Sequence, residues 1–102
     1  MNNFNKISEF LNKADNLPQW DNNDGDFLRR AIAAETDAIN LYLNQIEKAK
    51  NPKVKDVLHH LAKEEKQHLA ELQLVLENLD EEQAEVNEEA ENDIEDLLMS
   101  GI

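Results

Sequence analysis

The run VKDVLHHLAKEEKQHLAELQLVLENL, residues 54–79, places apolar side chains at Val54, Leu58, Leu61, Leu72, Val75 and Leu79. Glu65 and His68 fill the two positions between Leu61 and Leu72, so the spacings run four, three, four, three, four, three, four. That is a heptad seam without a slip, and it predicts a long helix whose greasy face is interrupted by a carboxylate and an imidazole. An unpaired carboxylate on such a face is costly and would be protonated or paired. A divalent metal removes the cost, and Glu-x-x-His sets both donors on one helix face.

Upstream, a second seam reads Leu28, Ala31, Glu35, Ala38 or Ile39, Tyr42, Ile46 and Ala49. Glu35 breaks this row as Glu65 breaks the other. Asp24 or Asp26 is expected to cap that helix, which runs to about Lys50 with lysines in its last turn. Asn51-Pro52 then supplies a stop and a restart, Asn51 as N-cap and Pro52 at the first helical position. So short a connection makes the two helices antiparallel. In such a hairpin, residues whose numbers average to the turn lie at one level. Glu35 and Glu65 average to 50, which places both ~22 Å from the turn at ~1.5 Å rise per residue. Two independent interruptions therefore meet at one height.

Length and composition agree with helices. The 102 residues allow one small domain, with two glycines, two prolines and 5% aromatic residues, which argues against a sheet. With no cysteine there is no disulfide framework and no thiolate site, so a bound metal must use oxygen and imidazole. The net charge of −13 is unevenly placed. Residues 1–79 carry 13 acids and 10 bases, whereas residues 80–102 carry 10 acids and no base. That balance argues against a nucleic-acid binder. The start, MNNFNKISEFLNK, lacks the apolar core of a secretory signal, and nothing approaches the ~20 apolar residues of a membrane span. The expected location is cytoplasmic.

Three segments follow. Residues 1–25 form an arm and loop, with a weak amphipathic stretch (Phe4, Ile7, Phe10, Leu11) and Trp20 as a packing anchor. Residues 26–79 form the hairpin. Residues 80–102 form an acidic helix or tail, with Asp80 the expected cap of a helix over about 81–98 and partial disorder expected.

A four-helix-bundle di-iron site takes one Glu from each of two helices and Glu-x-x-His from each of the other two. This chain supplies half the ligands and half the bundle, and a hairpin has too little core to stand alone. A two-fold homodimer resolves both deficits by joining Glu35, Glu65 and His68 to their symmetry mates. Metal binding and assembly are then linked.

Ala33-Ala34-Glu35-Thr36-Asp37-Ala38-Ile39-Asn40-Leu41-Tyr42, followed by Glu64-Glu65-Lys66-Gln67-His68, resembles the encapsulated ferritins, half-length ferritin-like proteins housed in encapsulin nanocompartments. The resemblance covers about residues 26–80. It implies an all-α fold, an antiparallel two-helix hairpin with short N- and C-terminal helices that completes a ferritin-like four-helix bundle by homodimerisation. It also implies a ferroxidase centre between two subunits with Glu35, Glu65 and His68 as iron ligands, Tyr42 near the metal, and annular assembly, commonly a decamer. Acids that admit iron in that family fall here at Ala34 and Asp37, so at best half of that feature remains. Family cargo is addressed to the encapsulin shell by a C-terminal peptide, for which residues 94–102 are the candidate; other members are fused to the shell protein, so the chain could equally be an excised domain.

The expected chemistry is oxidation of Fe(II) to Fe(III) at two irons, Glu65 bridging and Glu35 and His68 terminal, with storage left to a surrounding container. Two other readings stay open. One is a peroxide- or oxygen-consuming di-iron oxidase of rubrerythrin type, although rubrerythrins carry both halves in one longer chain. The other is a non-catalytic helical dimerisation or adaptor module, in which Glu65 and His68 form a hydrogen-bonded core pair. His59, His60, Glu64 and Glu71 read as surface, the acidic tail as a solvated spacer, and Tyr42 equally as seam packing.

Overall fold

The computed structural model describes residues 21–100, so the amphipathic stretch over residues 4–11, Trp20 and the last two residues of the candidate shell peptide lie outside it. The described residues form three α-helices: α1 (Asn22–Lys48), α2 (Pro52–Leu79) and α3 (Glu81–Met99), with no strand among them. This is the all-α architecture expected.

The start of α1 differs from expectation. The helix begins at Asn22, and its cap is Asp21, whose side chain accepts from the Asp24 amide at 2.9 Å. Asp24 and Asp26, the expected caps, lie inside the helix. Asp24 is in the first turn, and Asp26 accepts from Arg30 Nε at 2.8 Å. Gly25 does not delay the start: its amide bonds the Asp21 carbonyl at 3.2 Å, and a glycine in a helix costs only about 1 kcal/mol against alanine. The residues read as loop up to position 25 therefore give their last four to the helix.

Asn51 and Pro52 behave as their chemistry dictates. The Asn51 side chain accepts from the amides of Lys53 at 2.8 Å and Val54 at 3.4 Å, and Pro52 opens α2 where its missing N–H costs nothing. At the other end, the Asp80 carboxylate accepts from the Gln83 amide at 3.1 Å and starts α3, with Glu81 and Glu82 favourably set in its first turn.

The described residues divide into two compact units, Asp21–Gln73 and the part from Leu74 onward. In the first, Ile39 and Ala62 are buried; Leu28, Ala31, Ala38, Tyr42 and Ile46 of one seam and Leu58, Leu61 and Leu72 of the other are half-buried. The heptad reading holds from Leu58 onward, but Val54, its first position, is 48% exposed at the open start of α2; Ile39 rather than Ala38 is the deeper of the two alternatives. In the second unit Leu76 is buried, and α3 buries no residue at all. So few buried side chains leave the seams half-covered in a single chain.

Candidate metal centre

Glu35 comes from the middle of α1, and Glu65 and His68 from one face of α2. The short Ala49–Asn51 connection fixes the register that brings them together. His68 is the junction: its Nδ1 lies 3.5 Å from Glu65 Oε2, one turn back on its own helix, and 3.7 Å from Glu35 Oε2 across the hairpin. One donor atom from each of the three residues falls within 4.8 Å of the others, and among the described residues this is the group of histidines and carboxylates able to hold a metal ion. The level predicted from residue numbers is the level observed.

The three environments are graded. The side chains of Glu35 and Glu65 are 24% and 21% exposed, whereas that of His68 is 49% exposed. The centre is closed on its carboxylate side and open at the imidazole. Glu35 Oε2 is buried with no hydrogen-bond partner. An unsatisfied buried acceptor costs about 1–3 kcal/mol, more when charged, and a cation held between the three donors removes that cost. Two carboxylates and one imidazole suit a hard or borderline divalent ion, and no sulfur competes. The residues fit an iron ion.

The remaining sequence candidates lie elsewhere. Tyr42 is half-buried on the α1 seam, one heptad nearer the turn than Glu35, ~10 Å along the axis. Asp37 and Ala34 are exposed. His60 Nε2 lies 2.6 Å from the accepting Glu64 Oε1 in an exposed i,i+4 pair on α2; His59 and Glu71 are exposed as expected. What the sequence could not reveal is the unsatisfied state of Glu35 Oε2, because heptad spacing names a level and a face but not a hydrogen-bond count.

A family model described as Rubrerythrin matches residues 26–97, most of the chain. The chain belongs to the rubrerythrin family. Membership implies an iron-binding protein. Two curated relatives agree with the resemblance to encapsulated ferritins. The ferritin-like–encapsulin shell fusion protein of Pyrococcus furiosus is 45% identical over 58 residues, 57% of this chain and 17% of that protein. The encapsulin nanocompartment cargo protein EncC of Myxococcus xanthus is 41% identical over 63 residues, 62% of this chain and 48% of its own length. The match thus spans about half of one relative and a sixth of the other. No solved structure matches. No helix among the described residues of this rubrerythrin-family chain is long and apolar enough to cross a membrane.

Proposed function

We propose that this protein is a ferroxidase whose di-iron centre forms between two copies of the chain, acting in iron storage or detoxification inside an encapsulin shell. One observation carries the reading: Glu35, Glu65 and His68 converge within 4.8 Å while Glu35 Oε2 stays buried without a hydrogen bond. Three donors are half of what a carboxylate-bridged di-iron site uses. A two-fold mate supplies the other three and covers the half-buried seams in the same step. The names of the two relatives support the shell as the setting, with residues 94–102 as the candidate address.

When bound, each Fe(II) supplies one electron, and dioxygen or peroxide takes up the pair. The chain's own residues do the rest. Glu35, Glu65 and His68 would hold the irons, Glu65 as the ligand shared between them, with Glu35 on the α1 side and His68 presenting Nδ1 toward both carboxylates from the open edge. The carboxylates favour the ferric product by charge.

The family description favours one second reading, a di-iron oxidase that consumes peroxide with the same three ligands. Fe(II) oxidation under air and under peroxide, followed by the absorbance of the ferric product, separates the two. A ferroxidase turns over Fe(II) under air and loses this in Glu35→Ala and His68→Ala. Turnover only with peroxide selects the second reading, and background-rate oxidation in both conditions removes both in favour of a helical interaction module.

A further inference from the structure

The helix α3 carries Val86, Ala90, Ile94 and Leu97. At 100° per residue these four fall within a sector of about 80° that contains no acid, with Leu98 at its border. The three large side chains are exposed, Val86 to 43%, Ile94 to 54% and Leu97 to 55%, and the helix buries no residue. Glu89 and Asp93 run along one side of the stripe and Glu91 and Glu95 along the other, with no base in residues 80–102. A second α3 is a poor cover, because acids would oppose acids along both sides. The complement is a segment apolar at its centre and basic at its rim.

Residues 1–20 lie outside the described residues, and their sequence carries that complement. Wrapped at the same period, Phe4, Ile7, Phe10 and Leu11 fall within about 120°. Lys6 and Lys13 follow along one edge, and Glu9, the lone acid of residues 4–13, falls on the opposite side. Both sides of the α3 stripe are acidic, so the lysine edge meets carboxylates whichever way the segment runs. The chain length also fits. Asp21 precedes Lys50 by 29 positions and Leu79 follows it by 29, so the arm and α3 attach to the hairpin at equal distances from its turn. Residues 14–20 span up to ~25 Å when extended. The stripe begins at Val86, ~8 Å along the axis from Glu81.

We propose that residues 4–13 of the same chain lie along the α3 stripe and hold it away from other partners. Phe4, Ile7 and Leu11 cover Val86, Ile94 and Leu97, while Lys6 and Lys13 face the carboxylates on one side. Tethering decides between this occupant and a second molecule. A segment on a short linker acts at an effective concentration in the millimolar range, far above that of a second copy in dilute solution. Burial of several aliphatic groups supplies the strength, since each exposed ion pair contributes little. The contact uses none of the three metal donors and does not rest on the iron reading.

The chain has no cysteine, so disulfide trapping in the full chain reads the contact directly. Ile7→Cys is paired in turn with Ala90→Cys, Ile94→Cys and Leu97→Cys on the stripe, and with Asn92→Cys on the opposite side of α3 as the control. Circular dichroism confirms that each variant stays helical. A disulfide closes only when the two Cβ atoms come within about 4.5 Å, so at least one stripe pair should close about tenfold faster than the control. The product should migrate as a single chain on a denaturing gel. A second measurement uses a neutral apolar dye. Phe4→Ser/Ile7→Ser/Leu11→Ser should bind about threefold more dye than the wild type, despite its fewer apolar side chains, because the stripe is uncovered. Stripe pairs that close no faster than the control, disulfides that link two chains, or a serine variant that binds no more dye would each overturn the proposal.

Discussion

The hairpin and α3 break the rule of apolar inside, polar outside in opposite directions. The hairpin draws two carboxylates and an imidazole into its seam, where one oxygen is left buried and unsatisfied. The helix α3 leaves a row of aliphatic side chains in water and buries nothing. Neither arrangement is stable for its own sake. For the hairpin, the proposed metal ion and mate would supply what the single chain lacks. A departure from the hydrophobic pattern thus carries information about function, and its sign says whether to look for a cation or a partner.

If that contrast is right, mutations in the two regions must differ in kind. The largest effect belongs to the seam donors. Replacing Glu65 or His68 by alanine should reduce Fe(II) binding by a hundredfold or more, measured by anaerobic titration, while far-ultraviolet circular dichroism stays helical. Next comes packing. Ile39→Ala in the hairpin should cost about 2–5 kcal/mol in denaturant unfolding, whereas Leu98→Ser in α3, measured on dilute monomer, should stay within about 0.5 kcal/mol. Equal costs for the two would erase the distinction.

A smaller effect has the opposite sign. Glu35→Leu removes the unsatisfied oxygen and should stabilise the metal-free chain by about 1 kcal/mol while destroying iron binding. A metal-free chain that is instead weakened would mean that Glu35 has a structural partner after all. Asp80→Ala completes the series. Loss of the cap on the Gln83 amide should cost about 1 kcal/mol, visible as reduced helicity confined to α3, with Fe(II) binding unchanged.

Much of this was legible before any coordinates, for physical reasons that differ by residue. Glu65 and His68 stood out because a heptad seam has a fixed expectation at each position, so two violations are visible at once. Asn51-Pro52 was legible because proline cannot sit deeper in a helix than its first turn. Asp80 was a lone cap candidate between two helical patterns. The start of α1 was not legible: Asp21, Asp24 and Asp26 are chemically equal as caps, and only the coordinates show which carboxylate reaches a free amide. The exposure of α3 was only half legible, since its apolar residues look thin in sequence but align when wrapped at the helical period. The unsatisfied oxygen of Glu35 depends on side-chain geometry that no spacing rule encodes.

The account stands or falls on Glu35, Glu65 and His68 being half of a shared iron site. Anaerobic Fe(II) titration with mass measured by sedimentation at each point decides it. The prediction is about one tightly held Fe(II) per chain, taken up together with a doubling of mass, and neither seen in His68→Ala. Iron bound tightly by a chain whose mass stays that of a monomer, or dimers that form equally well without iron and in His68→Ala, would contradict it.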